Sequence, residues 1–114
     1  MLLHGDFHRG NVLASVRASW LAIDPCPLTG GAEFDVADLT ADLLDDYIGQ
    51  SAAPARLRTA LSALRQAIPH LNRQRVLHWM LAKRVSLALN SVAATGNGDW
   101  DLAFARLLLN LLGA

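Results

Sequence analysis

Helical periodicity dominates the sequence after Asp35 and limits the possible folds more than any other feature. Apolar residues there recur at three- and four-residue spacing in segments separated by Gly or Pro. Four such segments cover residues at about 35–48, 54–68, 72–90 and 100–112. Asp35 and Asp99 are good N-cap residues for the first and the last of them. The pattern predicts four helices that pack their apolar sides together.

A β-hairpin is predicted ahead of the helices. Short apolar runs that include β-branched residues occupy 12–16 and 20–23, with a polar stretch between them. The hairpin would join Asn11 to Asp24. The following segment, 25–34, is too rich in Pro and Gly to continue a strand, so it is expected to be an irregular loop. The predicted fold class is mainly α with a small β-hairpin.

Composition argues against several functions. The 114 residues fit one domain, and 53% of them are hydrophobic. Lys plus Arg and Asp plus Glu number 10 each, so no net charge favours nucleic acid or an anionic membrane. No apolar run is long enough to span a membrane, and no targeting signal is visible. The single cysteine, Cys26, has no partner for an intrachain disulfide, which fits a reducing cytoplasm.

Three oxygen-bearing side chains have the spacing of a phosphotransfer site. Asp6 and Asn11 are five residues apart, as in the catalytic loop of kinases, and Asp24 follows at the end of the hairpin. Phosphoryl transfer needs a carboxylate near the attacking hydroxyl and oxygen ligands for Mg²⁺. Because a hairpin brings its ends together, Asn11 and Asp24 should be neighbours. The ring of His4 can hold the loop through hydrogen bonds.

Each of these residues also has a purely structural interpretation. The segment 4–6 reads as a turn, Asn11 as a residue that caps a strand, and Asp24 as the start of an Asp-Pro loop. Any one position alone favours that interpretation. The three together, at kinase spacing and around a predicted hairpin, favour the functional one.

The run from His4 to Asn11, His-Gly-Asp-Phe-His-Arg-Gly-Asn, resembles the signature of the aminoglycoside phosphotransferase superfamily, and Ile23-Asp24-Pro25 resembles its metal motif. Within it, residues 20–37 look most like the aminoglycoside/hydroxyurea antibiotic resistance kinases, the streptomycin 6-phosphotransferase type. The resemblance implies that Asp6 is the catalytic base and that Asn11 and Asp24 bind Mg²⁺. ATP would be the phosphoryl donor and a hydroxyl of a small molecule such as streptomycin, or hydroxyurea, the acceptor.

The same resemblance implies that Asp35 braces the catalytic loop, a role that its N-cap interpretation does not exclude. It also implies the C-terminal lobe of a protein-kinase-like fold, with loops and hairpin over 1–35 and a helical subdomain over 36–114. Since only three residues precede the catalytic loop, the nucleotide lobe is expected to be absent and the isolated chain inactive. Apolar surface would then face the missing lobe or drive self-association.

Two other functions remain open at this point. One is a non-catalytic kinase-like binding or regulatory domain, and the other is a related kinase that acts on a sugar, choline or an amino alcohol. The first helix carries an acidic face formed by Asp38, Asp42, Asp45 and Asp46, which could attract a polycationic aminoglycoside. A solvated helix face is the favoured expectation for these four residues. Aromatic residues of the later helices are expected in the core, namely Trp79, Trp100 and Phe104.

Overall fold

The computed structural model describes residues 1–113, and they are mostly helical. The helices are α1 (Glu33–Leu44), α2 (Ala53–Ala67), α3 (Arg73–Thr95) and α4 (Asp99–Leu112). The strands are β1 (Leu2–Leu3), β2 (Val12–Ala14), β3 (Trp20–Ala22) and β4 (Leu28–Thr29). Single turns of 3-10 helix cover Arg9–Asn11 and Asp45–Tyr47. The predicted fold class, mainly α with a small β-hairpin, is confirmed.

The helical core is built around α3, which packs against α1 on one side and α4 on the other, while α2 packs against α1. Each helix contributes side chains with almost no exposed surface. These include Leu44, Leu57, Leu61, Val76, Leu77, Phe104 and Leu108. Burying a Leu or Phe side chain contributes about 1.5–3 kcal/mol, so this shared core accounts for most of the stability that fixes the helices.

The predicted hairpin is present, and a second strand pair accompanies it. β2 and β3 pair antiparallel, with Val12 opposite Ala22 and Ala14 opposite Trp20. β1 pairs with β4 in the same way, with Leu3 opposite Leu28. The expectation of a wholly irregular loop over 25–34 was therefore wrong at β4. A two-residue strand has no periodicity to read, and its partner lies far away in the sequence.

Helix termini differ from the predicted ones. α1 begins at Glu33, so Asp35 lies inside its first turn and is not the N-cap. Asp99 likewise lies in the first turn of α4, behind Gly98. Asn72 does cap α3, since its side chain accepts a hydrogen bond from the backbone N–H of Arg75. α3 extends beyond its predicted end to Thr95, where Gly96 adopts the left-handed conformation.

Two of the three predicted aromatic core residues are partly exposed. Phe104 is fully buried, whereas Trp79 and Trp100 are each 43% exposed. Trp79 packs edge-on against Phe34, and Trp100 packs edge-on against Phe104. A large indole can cover the edge of a core without entering it. Among residues 1–113, no helix has the length and apolarity needed to cross a membrane.

Candidate functional site

The loop between β1 and the first 3-10 turn is held by the first turn of α1. The backbone N–H of His4 donates to Oδ2 of Asp35 at 2.8 Å, and that of Gly5 donates to Oδ1 at 2.9 Å. Both carboxylate oxygens are thus occupied by consecutive backbone donors. Asp35 is part of a helix, so the loop is attached to a rigid element at the point where it turns towards Asp6.

The ring of His4 connects this loop to the segment that carries Asp24. His4 Nε2 lies 2.7 Å from the carbonyl oxygen of Ile23, so Nε2 carries the proton and donates it. Nδ1 is then the acceptor, and it accepts the backbone N–H of Asp6 at 3.2 Å. One imidazole therefore fixes the backbone of Asp6 relative to the residue before Asp24.

The two loops approach each other so closely at Gly5 that no side chain fits. The backbone N–H of Cys26 donates to the carbonyl oxygen of His4 at 2.8 Å. A Cβ atom on Gly5 would lie 1.8 Å from the carbonyl oxygen of Cys26, and Gly5 has φ +86°. Glycine is required at this position both for the left-handed backbone and for the contact.

Asn11 lies between Asp6 and the hairpin and is buried, with 8% of its surface exposed. Its Nδ2 donates to the carbonyl oxygen of Asp6 at 2.9 Å and contacts the Asp6 carboxylate at 3.2 Å. The backbone N–H of Ile23 donates to the carbonyl oxygen of Asn11 at 2.8 Å. The structure therefore brings Asp6, Asn11 and the residue that precedes Asp24 into one hydrogen-bonded group.

Asp24 is exposed and has an unusual backbone. Its φ of +50° is in the left-handed region, and it is the only non-glycine residue with positive φ among residues 1–113. That conformation costs an ordinary L-residue roughly 1–2 kcal/mol, less for Asp, and such strain is concentrated at functional sites. Asp24 lies two residues after the end of β3, and Cys26, two residues further on, bonds to His4.

His8 makes contacts within the loop, and Arg9 connects the loop to α1. His8 Nδ1 accepts the backbone N–H of Gly10 at 3.1 Å, and His8 Nε2 is 3.7 Å from the Asp6 carboxylate. Arg9 binds Asp42 of α1, with its backbone N and its Nε at 2.8 and 2.9 Å from the same Oδ2. Burial raises the pKa of Asp42, but the hydrogen bonds from Arg9 outweigh it and leave that pKa lowered. Arg9 thus anchors the loop to α1.

Asp38 and Asp42 are only partly exposed and each binds a cation, so they do not form the expected solvated face, whereas Asp45 and Asp46 are exposed. Asp38 binds Lys83 Nζ at 2.6 Å, and Asp42 binds Arg9. Asp45, just after α1, has Arg84 Nη2 at 3.8 Å. Lys83 and Arg84 belong to α3, far away in the sequence, which is why a reading of α1 alone missed them. Lys83 and Arg84 are adjacent cations in a largely apolar stretch of α3, but nothing in the sequence shows that they face α1.

A cavity of about 230 Å³ lies beside Asp6, between α1 and α3. Its lining includes Asp6, His8, Asp45 and Arg84. A larger cavity of about 580 Å³, between the second 3-10 turn and α2, is not lined by any of Asp6, Asn11 and Asp24. The smaller cavity is therefore the one relevant to chemistry at Asp6.

The two candidate ligands, Asn11 and Asp24, fit Mg²⁺ better than a transition metal. Residues 1–113 contain no group of three or more His, Cys, Asp and Glu side chains that could hold a metal ion. The candidate ligands are one amide, from Asn11, and one carboxylate, from Asp24. Mg²⁺ usually takes one or two protein carboxylates and completes its shell with water and phosphate oxygens, so this small oxygen set is suitable for it.

The fold and the loop contacts are compatible with the C-terminal lobe of a kinase-like protein. The family model for aminoglycoside/hydroxyurea antibiotic resistance kinases matches residues 1–94. The chain belongs to that family. No solved structure shows a significant match.

Curated relatives include three antibiotic kinases. Streptomycin 6-kinase of Streptomyces glaucescens is 36% identical over 98% of this chain and 36% of its own length. Hydroxyurea phosphotransferase of Kitasatospora aureofaciens is 33% identical over 98% of the chain and 31% of its own length. Streptomycin 3''-kinase of Klebsiella pneumoniae is 39% identical over 70% of the chain and 30% of its own length. The chain thus spans about a third of the length of these relatives.

Proposed function

We propose that this chain carries the catalytic base and the Mg²⁺ ligands of an ATP-dependent phosphotransferase. Its acceptor would be a hydroxyl of an aminoglycoside-type antibiotic such as streptomycin, or hydroxyurea. The observation that carries the proposal is the bond of Asn11 Nδ2 to Asp6, at 2.9 Å to the carbonyl and 3.2 Å to the carboxylate oxygen. The similarity to a streptomycin 6-kinase and a hydroxyurea phosphotransferase supports the reaction class.

Asp6 is the proposed catalytic base. Its side chain is 57% exposed and lines the cavity, so a hydroxyl group can reach it. As the hydroxyl oxygen forms a bond to the γ-phosphorus of ATP, the bond from that phosphorus to the ADP oxygen breaks. The hydroxyl proton passes to the Asp6 carboxylate. The hydrogen bond from the backbone N–H of Asp6 to His4 keeps this carboxylate in place during the transfer.

Asn11 Oδ1 and the Asp24 carboxylate are the proposed Mg²⁺ ligands. Bound Mg²⁺ would neutralise charge on the transferring phosphoryl group. Asn11 uses its Nδ2 on Asp6, which leaves Oδ1 as the acceptor of that side chain. The left-handed backbone of Asp24 supports the assignment, since strain of this kind persists where function requires it.

His4 and Asp35 are proposed as positioning residues that hold the loop without touching substrate. In this proposal residues 1–35 supply the catalytic loop, hairpin and metal-binding loop, and residues 36–114 supply the helical support. Contacts to ATP are assigned to the part of the family's length that this chain does not span.

A chimera tests the proposal. This chain replaces the matching segment of the Streptomyces glaucescens streptomycin 6-kinase, and transfer of phosphate from ATP to streptomycin is measured. We expect Asp6→Ala to lower turnover about 10²–10⁴-fold, as is typical for loss of a general base. Asp99→Ala, which removes an exposed carboxylate in α4, is the matched control and should retain turnover.

Full turnover by Asp6→Ala would show that another group is the base. A folded chimera that transfers phosphate to choline, a sugar or an amino alcohol, but to neither antibiotic, would replace the proposed acceptor class. A folded chimera without any transfer would favour a non-catalytic domain.

A further inference from the structure

The cavity beside Asp6 is lined by both charged and apolar side chains. Asp45 and Arg84 line it together with Asp6, and Met80 and Leu87 of α3 provide apolar surface. Its volume of about 230 Å³ is smaller than a typical site for a whole drug-sized ligand, so it can take one ring or one functional group of a larger molecule.

Of the three carboxylates that α1 and its end contribute to the cavity, two are already neutralised. Lys83 Nζ lies 2.6 Å from Asp38 and also approaches the carbonyl oxygen of Phe34. Arg9 contacts Asp42 through its backbone and its side chain. Both carboxylates have short, direct cationic partners and little remaining capacity for a ligand.

Asp45 differs because its nearest cation is held elsewhere. Arg84 Nη1 donates to Asp101 at 2.9 Å, and Asp101 also accepts the hydroxyl of Ser91 at 2.8 Å. The rings of Trp100 and Phe104 lie 4.6 and 4.3 Å from the Arg84 guanidinium carbon. These contacts fix the guanidinium, so Arg84 Nη2 stays 3.8 Å from Asp45, beyond hydrogen-bond distance.

The electrostatics agree with this geometry. Burial raises the pKa of the Asp45 carboxyl, and the charge of Arg84 only partly opposes that effect. The neighbouring carboxylate of Asp42 raises the pKa further. A cationic group that entered the cavity would stabilise the ionised form of Asp45, as an opposite charge at close range does in general.

We propose that Asp45 is a specificity-determining residue that pairs with a guanidinium or ammonium group of the acceptor alcohol while the acceptor hydroxyl faces Asp6. This inference rests on the proposed function and deepens it, because it names the residue and the ligand chemistry that select the acceptor. Arg84 acts as a positioning residue for the cavity: its attachment to Asp101 leaves Asp45 free for the ligand.

Binding to the full 114-residue chain tests the inference without requiring catalysis. Isothermal titration calorimetry with streptomycin, a guanidinium-bearing alcohol, compares wild type with Asp45→Asn, which keeps the shape and removes the charge. We expect affinity to fall about tenfold, the effect of losing one charge-assisted hydrogen bond at a partly exposed site. Asp45→Glu restores the charge and should recover most of the affinity.

Asp46→Asn is the matched control, because Asp46 is the adjacent carboxylate but lines the larger cavity instead. The affinity of Asp46→Asn for streptomycin should stay within about twofold of the wild-type value, because Asp46 does not line the cavity beside Asp6. Affinity for the uncharged acceptor hydroxyurea should be the same in Asp45→Asn and wild type.

Equal streptomycin affinity in Asp45→Asn and wild type would overturn the inference, as would an equal loss in Asp46→Asn or no binding by folded wild type. The chimera assay reports on the proposed function separately. Phosphate transfer that depends on Asp6 but is indifferent to Asp45→Asn would retain the function and reject this role.

Discussion

Replacing Asp35 should destabilise the chain far more than its place in the first turn of a helix suggests. Its carboxylate accepts the backbone N–H groups of His4 and Gly5 at 2.8 and 2.9 Å. Hydrogen bonds to a charged group contribute about 1.5–3 kcal/mol each. Because the site is only partly buried, water can replace part of that, and we expect Asp35→Ala to cost about 3 kcal/mol in free energy of unfolding.

Asp99→Ala separates this effect from a general effect of helix-terminal charge. Asp99 is also an acidic residue in the first turn of a helix, and it is exposed. Its interaction with the helix dipole contributes about 0.3–1 kcal/mol. The difference between the two variants, about 2 kcal/mol, is what the two loop hydrogen bonds contribute. Asp35→Asn keeps one oxygen acceptor, so its loss of unfolding free energy should lie between those of Asp35→Ala and Asp99→Ala.

Urea denaturation followed by circular dichroism measures the free energies, and hydrogen exchange of the His4 and Gly5 amides measures the local effect. Exchange at both amides should accelerate in Asp35→Ala and stay unchanged in Asp99→Ala. Equal losses of stability in the two alanine variants, with unchanged exchange at His4 and Gly5, would refute the reasoning.

Two further predictions concern the loop contacts. Gly49 and Gly5 have nearly the same φ, +85° and +86°, but a Cβ on Gly49 would meet nothing within 4 Å. Gly49→Ala should therefore lower the free energy of unfolding only by the cost of the left-handed backbone, about 1 kcal/mol. Gly5→Ala should lower it by at least about 2 kcal/mol more, because its Cβ clashes with Cys26. Thermal denaturation measures both losses, and equal losses would contradict this. The second concerns Asp42, whose folded-state pKa lies below its ordinary value of 3.8. The stability that Asp42 contributes is present above 3.8 and is lost as pH falls through the lower folded value. Asp42→Asn should flatten the acid limb of a plot of unfolding free energy against pH between about 5 and 2, and an unchanged limb would contradict the pairing.

The sequence predicted the elements well where a periodic pattern or a turn residue specifies them. The hairpin and all four helices are present, and Asn72, Gly96 and Gly113 lie at helix ends where their chemistry is favourable. It failed at Asp35 and Asp99, because a carboxylate in the first turn of a helix and one at the N-cap look alike in sequence. The family resemblance implied that Asp35 braces the catalytic loop, and the structure identifies the two donors as the backbone N–H groups of His4 and Gly5.

The proposed site likewise has one part that the sequence predicted and one part that it did not. The spacing from Asp6 to Asn11 was sufficient to predict that these two residues interact, and the hairpin was sufficient to predict that Asn11 approaches Ile23, the residue before Asp24. The partners of the acidic residues were not predictable, because Lys83 and Arg84 reach α1 only through the packing of α3. Arg84 in turn is held by Asp101 of α4, so its position depends on a third element.

The contacts that join the two loops and the contacts that set the charge of the cavity lie in different parts of the chain. The bonds that join the two loops, from His4 to Ile23 and from Ile23 to Asn11, lie within the first 35 residues, as does the anchor of His4 on Asp35. The charge of the cavity, by contrast, is set by α3 and α4 acting on the end of α1. The proposed role of Asp45 implies that substitutions in α3 and α4 would change which acceptor is bound while the contacts between the two loops stay intact.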